Sequence, residues 1–105
     1  MNTIEHMQID QTDVVNGICE SFERDFHLCP RPNIDDYVRV AEPLRSQTLL
    51  ALVHSDLELR LRNNEPAALL EYLIRYPELN QFPNELSEIL ATEVKLRIRL
   101  PKPNY

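Results

Sequence analysis

The sequence predicts an all-α protein, a compact bundle of four to five helices built from two short-helix/long-helix pairs. Three observations carry that expectation. Apolar residues recur at intervals of three and four, the spacing that gathers them on one side of a helix. Acid–base pairs stand at i, i+4 in the orientation that supports a helix: Asp56 with Arg60, Glu58 with Arg62, Glu93 with Arg97. The 105 residues hold one glycine and eight prolines, so turns that need positive φ are scarce and prolines mark the ends of short elements.

Residues 1–9 lack periodicity and are expected as a flexible tail. From Asp10 the pattern is helical, with Asp10 or Thr12 as cap. Val14, Ile18, Phe22 and Phe26 form a stripe with Val15 and Cys19 beside it. Gly17 costs this helix up to about 1 kcal/mol, which the stripe outweighs. The helix is expected to stop ahead of Pro30 and Pro32, because a residue before proline is pushed out of the helical region.

Asn33 can cap a short helix through Ile34, Tyr37, Val38 and Ala41. Pro43 suits the first turn of a long helix reaching about Asn63. Its inward face is predicted as Leu49, Leu52, Val53, Leu57 and Leu61, with Leu50 flanking. The next helix covers about Ala67 to Tyr76 and stops at Pro77. The last begins near Pro83 or Asn84, with Leu86, Ile89, Leu90, Val94 and Ile98 as its stripe. The stretches Asp56–Arg62 and Glu93–Leu100 also alternate like strands, and the charge pairs tip both towards helix. Pro101 ends the last helix and residues 101–105 look like a linker, so 10–100 is expected to be one helical domain.

A weak internal repeat runs through this order. I-D-D-Y-V-R-V-A-E-P-L, from Ile34, resembles L-L-E-Y-L-I-R-Y-P-E-L, from Leu69, and places Tyr37 and Tyr72 35 positions apart. Signature residues of the tetratricopeptide repeat are missing. The pattern is read as two copies of one supersecondary unit rather than a solenoid, against the alternative of chance likeness between two amphipathic pairs.

Charge and composition exclude several classes. A net charge of −6 repels a phosphate backbone, so no nucleic-acid partner is expected. No apolar run approaches a membrane span, no basic-then-apolar leader opens the chain, and the two cysteines make no paired framework. No membrane contact and a cytoplasmic location are the resulting expectations.

Catalytic and metal chemistry find no constellation. A kinase needs a glycine-rich phosphate loop, a strand lysine, an H-R-D loop and a D-F-G site, and none is in the sequence. Cys19, His27 and Cys29 lack the tight four-ligand spacing of structural zinc, and Cys19 falls on an apolar stripe. His6 and His54 read as solvated surface. Asp35 and Asp36, beside Asn33, read as complements to a helix dipole rather than an acid pair. The chain is expected to be no enzyme and to hold no cofactor or metal.

The most informative stretch is N-E-P-A-A-L-L-E-Y-L-I-R-Y-P-E-L, from Asn64 to Leu79. It follows S-D-L-E-L-R-L-R (Ser55 to Arg62), A-E-P-L-R (Ala41 to Arg45) and R-P-N-I-D-D-Y-V (Arg31 to Val38). In this order the blocks resemble the helical N-terminal accessory module of planctomycete-type bacterial serine/threonine protein kinases. That module carries R-P-x-I-E-D-Y-L, P-E-x-x-R, L-x-L-E-L-E-x-R-R and G-E-x-P-x-x-E-Y-L-x-R-F-P-E. The likeness covers about residues 22 to 80. The chain departs from the pattern at Asn64, where the family has glycine; asparagine is the next-best residue for a left-handed helix terminus.

The resemblance implies a non-catalytic protein-interaction or regulatory module associated with a bacterial serine/threonine kinase. The alternative is a structural helical dimerisation or adaptor domain with no kinase link. Partners are expected to be proteins, a kinase domain or its substrates among them, and the chain a monomer or homodimer. Candidate surface residues are Tyr37, Tyr72 and Tyr76, as a peptide groove, and Arg60, Arg62, Arg97 and Arg99, as a basic patch. Against each stands a plainer role, core packing for the tyrosines and ion pairing with Asp56, Glu58 and Glu93 for the arginines.

Overall fold

The computed structural model describes the backbone of residues 3–39 and 44–99, and the side chains of residues 13–39 and 44–98. The fold is all-α: α1 (Thr3–Asp25), α2 (Ile34–Tyr37), α3 (Leu44–Arg62), α4 (Leu69–Arg75), a 3₁₀ turn (Pro77–Gln81) and α5 (Pro83–Arg99). No strand occurs among the described residues, and the strand-like alternations are helical over Asp56–Arg62 and Glu93–Arg99. No helix among them is long and apolar enough to cross a membrane. The chain divides within α3 into two units, residues 1–52 and 53–105.

In the first unit α1 starts at Thr3 and not at Asp10. Residues 3–9 hold neither glycine nor proline, so nothing interrupts the backbone ladder, which needs no apolar stripe to propagate. The stripe itself is buried only at its C-terminal end. Phe22 and Phe26 are fully enclosed, Ile18 and Cys19 are half-buried, and Val14, predicted inward, is exposed. Phe22 meets the ring of Tyr37 edge-on at 5.3 Å between centroids. Arg31 lies over the Phe26 ring at 4.2 Å and donates from Nε to the Phe26 carbonyl at 3.3 Å, which folds the chain back at the end of α1.

The α2 start is as predicted: the Asn33 side chain accepts from the amide of Asp35 at 3.1 Å, and Ile34 is buried. The helix is a single turn. Ala41 and Pro43, given roles at the sequence level, lie outside the described residues. On α3 the predicted inward face is correct throughout, with Leu49, Leu50, Leu52, Val53, Leu57 and Leu61 all buried. Thr48 is enclosed with them, and its Oγ1 has no hydrogen-bond partner among the described residues.

In the second unit, α3 closes with a Schellman turn. The Glu65 amide donates to the Arg60 carbonyl at 2.8 Å and the Asn64 amide to the Leu61 carbonyl at 3.1 Å. Asn64 sits at φ 62°, the left-handed conformation that asparagine adopts most readily after glycine. α4 is shorter than predicted by about a residue or two at each end. Between it and α5 lies the unforeseen 3₁₀ turn, which sinks Leu79 completely. Proline lacks an amide hydrogen, which at this first position would have no acceptor within the turn, and a second proline at 83 opens α5 in the same way.

The register of α5 departs from prediction. Ile89 and Leu96 are buried and Leu86 is half-buried, whereas Leu90, Val94 and Ile98 face solvent. His54, read as solvated surface, is half-buried and shares a 2.8 Å hydrogen bond with Thr92 on α5.

Candidate interaction face

The candidate tyrosines are placed by the short helices. Tyr37 and Tyr72 each occupy the fourth residue of one, and each donates its hydroxyl to an aspartate of the long helix that precedes it. Tyr37 reaches Asp25 Oδ2 at 2.7 Å, and Tyr72 reaches Asp56 Oδ2. The internal repeat therefore has a side-chain counterpart: each of these short helices is tied down by a phenol–carboxylate contact. Tyr72 and Tyr76 are buried and Tyr37 is half-buried. The Tyr72 hydroxyl is held well above the ordinary phenol range, first by burial and then by the Asp56 acceptor. Tyr37 is raised as well, chiefly by its bond to Asp25.

Each candidate arginine with a described side chain is joined to a carboxylate. Arg60 Nε meets Asp56 Oδ2 at 2.8 Å, and its Nη1 meets Glu65 Oε1 at 3.3 Å. Arg62 pairs with Glu58 at 2.9 Å. Arg97 pairs with Glu93 at 2.9 Å and donates from Nη2 to the carbonyl of Ala67. The Arg99 side chain lies outside the described residues. All three i, i+4 pairs written in the sequence are formed.

Glu93 has a further task. α4 begins after Ala68, whose side chain offers no cap. The missing acceptor comes from another helix: Glu93 Oε1 receives the Leu69 amide at 2.7 Å. With Arg97 holding Ala67, one ion pair on α5 grips the entrance of α4 from both sides.

A cleft of about 170 Å³ opens beside this network, lined by Asp56, Arg60, Ala67, Glu71, Tyr72 and Arg75 among others. Its two acids and two guanidiniums offer no excess of either sign. Asp56 and Arg60 already hold each other. Among the described residues no group of three or more His, Cys, Asp or Glu side chains is placed to hold a metal ion.

Among the described residues of the second unit, five large apolar side chains stay in solvent. On α5 Leu90 is 48%, Val94 48% and Ile98 71% exposed; on α4 Leu70 is 66% and Ile74 73% exposed. Spacing of four residues puts the three α5 side chains in one row along the helix. This row was visible in the sequence, but it was assigned to the core. Ile89 and Leu96, on the other side of the helix, are buried instead, and Glu93 and Arg97 lie between the two sets.

No protein-family model matches the chain, and comparison with curated proteins and with solved structures returns no match.

Proposed function

We propose that this chain is a non-catalytic protein-interaction module with a regulatory role beside a bacterial serine/threonine protein kinase. The observation that carries the interaction reading is the row Leu90, Val94 and Ile98, with Leu70 and Ile74 on α4, left in solvent while the same helices bury Ile89, Leu96, Leu69 and Tyr72. Large apolar side chains exposed in a row gain free energy when another surface covers them, and such rows mark contact sites. Tyr72 and Arg97 serve this face indirectly, tying α4 to α3 and its entrance to α5. The kinase association is supported by the ordered sequence blocks between Arg31 and Leu79.

Affinity capture from source-cell lysate tests the reading, with wild-type chain and a Leu90→Glu/Ile98→Glu variant as paired baits. The expected result is a serine/threonine kinase, or a substrate of one, retained by wild-type and lost with the variant. Retention that ignores the two substitutions, or no specific protein at all, contradicts it.

A further inference from the structure

We infer that the α5 row is a self-association face, on which a second copy of this chain packs with its own α5 antiparallel. The inference rests on reading α5 as the contact surface and names its partner. Charge selects that partner. Glu88 and Lys95 are exposed, stand seven residues apart and so share one flank of the row, and neither makes an ion pair among the described residues. In a parallel pair of α5 helices this flank falls on opposite sides of the seam in the two copies, so the charges of one copy do not meet those of the other.

An antiparallel pair with Leu90 set against Val94 of the second copy brings Glu88 within one residue's rise, about 1.5 Å, of Lys95 of that copy. The two-fold axis then repeats the contact, giving two opposite-charge pairs along one flank of the apolar seam. The opposite flank of the row is taken by Glu93 and Arg97, whose charges are spent within the unit on each other and on the start of α4. The seam is short, so association belongs to the high-micromolar range in which charge pairs decide orientation.

Sedimentation velocity on the full chain from about 10 to 500 µM tests this, using wild-type, Glu88→Lys, Lys95→Glu, the double exchange, and an equimolar mixture of the two single variants. Expected is a concentration-dependent dimer for wild-type, weakened at least about tenfold in either single variant. Restoration is expected in the double variant and in the mixture, since each pairs lysine with glutamate across both contacts. Circular dichroism confirms that each variant keeps its helices. A wild-type monomer at 500 µM overturns the inference, as does a dimer indifferent to the single exchanges. A monomer that still captures a partner through Leu90 and Ile98 sinks only the second copy. A dimer that captures nothing leaves the second copy and removes the kinase-associated reading.

Discussion

The hydroxyl of Tyr72 on α4 and Nε of Arg60 on α3 converge on a single oxygen, Oδ2 of the buried Asp56. A carboxylate taken out of water needs its lone pairs satisfied, and here one partner is local to its helix while the other fixes a neighbouring helix. Tyr72→Phe leaves that oxygen with Arg60 alone and is expected to cost about 1–3 kcal/mol in urea denaturation. Tyr37→Phe frees Asp25, which water reaches, and should cost no more than about 1 kcal/mol. Because the fold raises the Tyr72 proton affinity, its contribution is complete below about pH 10, where an unfolded tyrosine keeps its proton, and declines as pH climbs above that. Stability measured against pH should therefore fall less steeply on the alkaline side in Tyr72→Phe.

Capping of α4 from α5 gives a second outcome. Glu93→Ala removes the acceptor of the Leu69 amide and should destabilise by about 1–2 kcal/mol. Ala68 already has the extended backbone of an N-cap residue, with φ −147° and ψ 141°. Adding Ala68→Ser to the Glu93→Ala chain should recover much of the loss, as followed by thermal unfolding. If it recovers nothing, Glu93 acts through Arg97 rather than through the cap.

Two cysteines of unlike surroundings allow a chemical test. Burial, then Glu23 and Glu20, push the Cys19 thiol up to about 11, while Cys29 is exposed. Only the thiolate alkylates, so at pH 8 iodoacetamide should modify Cys29 at least about tenfold faster than Cys19, as read by peptide mass spectrometry. The Cys19 rate should rise about tenfold per pH unit until pH approaches 11. Favouring the protonated thiol also means that what Cys19 contributes to stability is whole below the ordinary thiol range and is lost as pH rises through about 11.

Thr48 offers a gain. Its enclosed hydroxyl has no partner among the described residues, and valine has the same shape and a similar helix propensity. Thr48→Val should raise stability by about 1 kcal/mol, measured as an increased urea midpoint at unchanged slope. A decrease would show the hydroxyl to be bonded after all.

The contrast between α3 and α5 shows what was legible in the sequence. On α3 one apolar set exists at helical spacing, so its inner face could be read directly. On α5 two sets overlap, Leu86–Ile89–Leu96 and Leu90–Val94–Ile98, and periodicity ranks them equally. The choice shows only in tertiary packing, where Ile89 and Leu96 are buried and Glu93 and Arg97 reach the backbone of residues 67–69, contacts no local pattern encodes. The Asn33 cap, the left-handed Asn64 and the three charge pairs were readable because each acts over a few residues. Bonds from Tyr37 to Asp25 and from Tyr72 to Asp56 span 12 and 16 positions and were not. The same limit hid the exposure of Leu90, Val94 and Ile98, while Tyr72 and Arg97, singled out as surface, hold neighbouring helices together.

Methyl-resolved NMR with a soluble paramagnetic agent examines the facing of α5 most directly. At about 20 µM the methyls of Leu90, Val94 and Ile98 should be strongly broadened and those of Ile89 and Leu96 spared; at about 500 µM the first three should become protected. Broadening of Ile89 and Leu96 with sparing of Leu90, Val94 and Ile98 would mean that α5 presents its other side, and the interaction face described for this protein would be wrong.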